Sequence, residues 1–151
     1  EQLATLKQRD LTLEAINLEL QLDPDLPLTW ADGGAIAQVL LSLLSNAQQA
    51  LRLQDPPRQI TICTALITLE QQLSLRMGVI DNGPGLPPEV AARLSASSPP
   101  PPSWRPRAGL GLAICQSIIK AHDGAIWNEP GPQGGTAIYV TLPLRMPPTS
   151  L

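Results

Sequence analysis

The chain contains no phenylalanine, and aromatic residues make up only 3% of its 151 positions. Charge is sparse as well, with 15% charged residues and no cluster of Lys or Arg. At a net charge of -3 and an isoelectric point near 5.0, it lacks the electrostatic footprint of a nucleic-acid binder. Its two cysteines, Cys63 and Cys115, stand far apart without Cys-x-x-Cys spacing. They read as buried reduced thiols, because a domain of this size needs no disulfide staple. No apolar run approaches the ~20 residues that span a bilayer, and no secretory signal is visible. The expectation is a soluble chain with no direct membrane contact. It begins at Glu1, which reads as an excised piece of a longer protein.

What is present is enough apolar material for one folded domain, with hydrophobic residues at 43%. Residues 1–13 read as the tail of a helix entering from upstream, with Leu3, Leu6, Leu11 and Leu13 in poor register. Ile16, Leu18, Leu20 and Leu22 alternate with polar residues, the period of a half-buried strand. Asp23-Pro24-Asp25 turns the chain, and Leu26 to Trp30 reads as a short returning segment. Asp32 suits an N-cap. From Ile36 to Leu51 apolar residues recur at three- and four-residue steps, which predicts a long amphipathic helix with Ser42, Asn46 and Gln49 along one polar margin.

Residues 60–69 and 73–80 read as two strands of a hairpin. On the second, Leu73, Leu75, Met77 and Val79 share a face, and Asp81 continues it toward the helical layer. A carboxylate placed there is expensive unless it is hydrogen-bonded, which favours a role in reading a ligand. A short helix is expected over 87–94, and four consecutive prolines, Pro99 to Pro102, predict an extended loop within 95–107. A second amphipathic helix follows, carrying Leu112, Cys115, Ile118 and Ile119, and it ends at Gly124. Ala125 to Asn128 and Ala137 to Leu142 complete the strands.

Asp81-Asn82-Gly83-Pro84-Gly85 and Gly109-Leu110-Gly111-Leu112 are the chemically telling segments. A strand-end carboxylate followed by two glycine-dense turns suits a pocket that reads an adenine edge and lays backbone amides against phosphate. Taken singly, each is also what an ordinary turn or helix start looks like. They occur, however, in one order with Val39 to Ala47 upstream and Gly134-Gly135-Thr136 downstream. Over residues 14–145 that order resembles the ATP-binding domain of two-component sensor histidine kinases, within the superfamily that includes gyrase, the Hsp90 chaperones and the MutL proteins.

The resemblance implies an α/β (α+β) two-layer sandwich, a mixed sheet of about five strands covered on one face by about three helices. It divides the chain into the upstream helix tail, 1–13, and an ATP-binding domain, 14–151, with a lid over about 87–108. It implies that Asp81 accepts from the adenine amino group, which excludes guanine because guanine offers a carbonyl there. Gly83, Gly85 and Leu86 correspond to the first glycine box and lid start. Thr136 corresponds to a Thr that supports the adenine side through its hydroxyl. Asn46 corresponds to the Asn whose amide oxygen coordinates Mg²⁺, and Gly109, Leu110, Gly111 and Leu112 correspond to the phosphate-facing second box. Ser42 and Gln49 stand at positions where the family usually has Asn or an acid-base residue, and Lys or Arg. Arg105 and Arg107 are lid candidates for the γ-phosphate. The family's aromatic motif between the glycine boxes is absent, and Ala108 replaces a common glycine.

The implied cofactors are ATP and Mg²⁺, and the implied reaction is transfer of the γ-phosphoryl to a histidine on a separate dimerisation domain, with a response regulator downstream. The lone histidine, His122, reads as structural. The implied location is cytoplasmic, including the cytosolic part of a membrane-anchored receptor. Two other readings stay open. Ser42, Gln49 and the altered lid fit a degenerate nucleotide- or partner-binding switch without phosphotransfer. A dimerising ATPase of the gyrase or MutL type is the other, against which Ser42 stands where hydrolysis needs a catalytic Glu.

Overall fold

Both periodicities are realised in a computed structural model that describes residues 1–94 and 110–149. In chain order the elements are α1 (Gln2–Leu13), β1 (Ile16–Gln21), α2 (Gly33–Arg52), β2 (Arg58–Leu69), β3 (Gln72–Asp81), α3 (Pro88–Leu94), α4 (Leu110–Ala121), β4 (Ile126–Pro130) and β5 (Thr136–Pro143), with a 3-10 turn at Pro132–Gly134. The sheet runs in the order β1-β2-β3-β5-β4. β1 and β2 are parallel, with α2 in the connection between them, and the other pairs are antiparallel.

The register aligns one apolar face across the sheet. Ile62 pairs with Val79 and Val79 with Ile138, and all three are buried with Ile60 and Val140. Against that face pack Val39, Leu43, Leu44, Ala47 and Leu51 of α2 and Leu112, Cys115 and Ile119 of α4. Each large side chain so buried contributes about 1.5–3 kcal/mol. The opposite face carries polar and aromatic residues, with Arg76 4.8 Å over the Tyr139 ring. The result is the expected two-layer α/β sandwich with a mixed sheet of five strands.

Local chemistry explains the boundaries. Asp32 caps α2 by accepting from the Ala35 amide at 3.1 Å. The β2–β3 turn falls on Glu70 and Gln71, both at positive φ, 48° and 67°, the twist that a two-residue hairpin turn requires. On β3 Val79 and Met77 join the core, but Leu73, beside the hairpin turn, is 49% exposed.

Two segments are held by contacts that no local pattern shows. Leu26 to Trp30 runs outside the sheet, and its Pro27 has no amide to donate to a ladder. It is tied instead to the end of β5 and the chain just after it, by the Thr29 hydroxyl to the Pro143 carbonyl at 2.8 Å and the Trp30 amide to the Arg145 carbonyl at 3.0 Å. Helix α1 spans Gln2–Leu13, but most of its leucines do not hold it. Leu6 and Leu13 are exposed, and Ala4 and Leu11, seven residues apart, are buried.

Candidate functional site

Asp81 ends β3 and is 3% exposed. Its carboxylate accepts from the Gly83 amide at 2.8 Å and from the amide of Thr136, its neighbour across the ladder. Burial pushes this carboxyl above the ordinary carboxylate value, and the two amides counter that only in part. Such a group still has acceptor capacity to spare, since an ionised carboxylate has roughly four lone-pair sites.

The turn after Asp81 is fixed by close backbone approach. Gly85 sits at φ +85°, and a Cβ there would stand 2.9 Å from the Gly134 carbonyl oxygen. At Gly135 a Cβ would stand 2.0 Å from the Asp81 carbonyl oxygen, so no side chain fits. The first glycine turn and the β4–β5 turn thus pack backbone to backbone, and Leu86 leaves this junction packed against the core.

Helix α2 joins this turn to the second glycine segment. The Cβ direction of Gly83 faces Ala50 at 3.5 Å, and that of Gly111 faces Ser42 at 3.7 Å. Asn46 lies midway between those contacts, four residues from each, which is about 6 Å along the helix. Its side chain is half-buried and makes no hydrogen bond among the described residues. Ser42 accepts from Gln38 Nε2 at 3.1 Å and also bonds the Cys115 thiol, which burial pushes up to about 11.

Gln49, by contrast, is exposed and lines a cleft of about 360 Å³ between α1 and α2, with Ser45, Gln48 and Arg52. The helix margin that carries Ser42 and Asn46 has rotated toward α1 by that residue. Thr136 is buried and reaches Asp81 with its amide. Leu112 is core at the start of α4. Gly109 and the lid candidates Arg105 and Arg107 lie outside the described residues, as does all of the expected lid after α3.

Two features escaped sequence reasoning. One is Asn82, whose side chain ties the turn to β2; its signal was only an Asn directly after the strand-end Asp. The other is Glu14, which bonds Gln48 and Arg52 across 34 and 38 residues, a separation that no local pattern reveals.

A divalent cation fits this donor set only in a particular way. Among the described residues no group of three His, Cys, Asp or Glu side chains could hold a metal. The Asn46 amide oxygen is uncommitted, which suits an ion that takes most of its ligands from phosphate and water, as Mg²⁺ does.

Comparison with known proteins agrees with this geometry. Residues 31–146 match the family described as histidine kinase-, DNA gyrase B-, and HSP90-like ATPase. The adaptive-response sensory kinase SasA of Trichormus variabilis is 35% identical over 136 residues, covering 88% of this chain and 32% of SasA. The sensory histidine kinase/phosphatase NtrB of Rhodobacter capsulatus is 37% identical over 128 residues, covering 81% of this chain and 35% of NtrB. The chain therefore spans about a third of the length of these relatives. Among solved structures, the catalytic domain of histidine kinase ThkA superposes with a TM-score of 0.76 at 26% identity, covering 97% of this chain and 91% of that one. Full-length ShkA, solved in complex with AMPPNP, gives 0.76 at 25% identity over 97% of this chain and 29% of its own. The chain belongs to the histidine kinase-, DNA gyrase B- and HSP90-like ATPase family, as an ATP-binding catalytic domain of the sensor histidine kinase kind.

Proposed function

We propose that this domain binds Mg-ATP with the adenine amino group on Asp81 and the phosphates along α2 toward the start of α4, and presents the γ-phosphoryl to a histidine on a separate dimerisation domain. The observation that supports it best is the position of Asn46, one helical turn from the contact with each glycine segment. A nucleotide laid from Asp81 to Gly111 would pass it. The AMPPNP carried by the similar ShkA supports a triphosphate as the ligand class.

Each residue's part follows from its chemistry. Asp81 orients the base by accepting a hydrogen bond that guanine cannot donate. The Thr136 amide and Gly135 hold Asp81 in place. Amides at the start of α4 face negative charge. Asn46 would hold Mg²⁺ through its amide oxygen, and the ion, when bound, supplies charge neutralisation on the phosphate oxygens. The chain itself positions and stabilises, and offers no covalent nucleophile. The parent would act in the cytoplasm upstream of a response regulator, with α1 as the end of a helix that leads in from the dimerisation domain. No helix among the described residues is long and apolar enough to cross a membrane.

Asn46→Ala tests the reading. Mg-ATP binding should weaken at least about tenfold, the equivalent of about 1.4 kcal/mol, while metal-free ATP and adenosine bind nearly as before. Titration calorimetry giving an equal loss for all three ligands would show that Asn46 only shapes the pocket.

A further inference from the structure

We infer that Asn82 is a positioning residue for adenine recognition, acting through Asp81. This rests on the reading of Asp81 as the adenine acceptor. The β2–β3 ladder ends at the pair Ile60–Asp81, so the residue that must launch the glycine turn has lost its strand partner. Asn82 restores one with its side chain. Its Oδ1 accepts from the Gln59 amide at 2.8 Å, its Nδ2 donates to the Pro57 carbonyl at 2.9 Å, and its own amide donates to the Gln59 carbonyl at 3.3 Å.

Together these bonds extend the sheet by one residue in the direction the chain would otherwise turn. Asp81 is thereby held between two supports. On one side the Asn82 bonds anchor the peptide after it to β2. On the other its carbonyl lies against Gly135 and its carboxylate takes the Thr136 amide. Removing the Asn82 side chain frees one support, so the carboxylate can swing while the remainder of β3 stays paired. A site that reads a hydrogen bond loses selectivity when its acceptor is mispositioned by about 1 Å. The prediction concerns discrimination more than affinity.

The test compares ATP with purine riboside 5′-triphosphate, which lacks the exocyclic amino group, on the parent, Asp81→Asn, Asn82→Ala and Asn82→Asp. The parent should prefer ATP, and Asp81→Asn should erase the preference. Asn82→Ala should weaken ATP about tenfold, as expected for about 1.4 kcal/mol, and change the analogue less than twofold. Asn82→Asp keeps the acceptor for the Gln59 amide but cannot donate to Pro57, and should fall between. Thermal melts establish that each variant is folded; should the alanine variant not fold, the aspartate variant carries the comparison. If the parent shows no preference, the adenine role of Asp81 fails and takes this inference with it. If the parent discriminates and Asn82→Ala discriminates equally, or loses both nucleotides in equal measure, the Asp81 reading stands and the positioning role of Asn82 is overturned.

Discussion

Asp81 is costly to bury as a charge, and that cost has a direction. Its folded-state carboxyl titrates above the ordinary carboxylate value, first because it is buried and in spite of the Gly83 and Thr136 amides. A raised acid stabilises the fold fully below its unfolded pKa and loses that contribution as pH rises through the folded value. The ionised form therefore works against folding, and above the folded value Asp81→Asn should melt no lower than the parent. The same substitution should weaken ATP about 10–100-fold, because it sets an amide donor near the adenine amino group at a cost of roughly 1–3 kcal/mol. The pH dependence of binding follows. Adenine favours the ionised carboxylate, so ATP affinity should fall as pH drops through the raised folded-state value of Asp81. Thermal melts together with calorimetry on either side of that value check both claims, and equal ATP affinity in Asp81→Asn and the parent would remove Asp81 from the site. Thr136 teaches a related lesson at the same scale. Its side chain suggested a hydroxyl role, but it is the backbone amide that reaches Asp81, and a backbone contribution leaves no mark on residue type.

Elements were legible where one periodicity dominated. The stripe of α2 and the alternation of β1 and β3 each declare a face, and Glu70 and Gln71 fall where the hairpin must turn. Helix α1 was legible as a helix but not in its packing, because Leu3, Leu6 and Leu13 define no common face. What fastens its end is Glu14, its C-cap. Arg52 donates to that carboxylate twice, from Nε at 2.9 Å and Nη2 at 2.7 Å, and Gln48 adds a third bond at 2.9 Å. The Glu14 carbonyl accepts from Arg58 at 2.9 Å. One residue thus joins α1, the end of α2 and the start of β2. The hydrogen bond from Arg52 holds the Glu14 carboxyl below the usual carboxylate range. The contribution is therefore present above the unfolded pKa and lost as pH falls through the depressed value. Glu14→Ala should speed amide hydrogen exchange across residues 2–13 and leave Mg-ATP affinity unchanged, since Asn46 faces the other margin of α2. Unchanged exchange over that helix would mean that Ala4 and Leu11 alone retain it.

At the scale of the molecule, topology decides which residues meet. The sheet order was hidden from local pattern because β5 inserts between β3 and β4, and only that insertion puts Thr136 beside Asp81. The same layering places His122, the only histidine, just beyond α4, where both ring nitrogens are occupied. Nδ1 lies 2.8 Å from the Ile118 carbonyl, and Nε2 accepts from the Asp32 amide at 3.2 Å. These contacts set one neutral tautomer, with Nδ1 protonated and the lone pair of Nε2 committed to the N-cap of α2. A phosphoacceptor imidazole needs that lone pair free for in-line attack. To use it, His122 would have to release the end of α2 that its ring now joins to α4, the two helices between which the phosphates are proposed to lie. Incubation of this chain with Mg-ATP labelled at the γ-phosphate should therefore leave no acid-labile phosphate on the protein. A label that maps to His122 would overturn the structural role assigned to it and place the acceptor inside the catalytic domain itself.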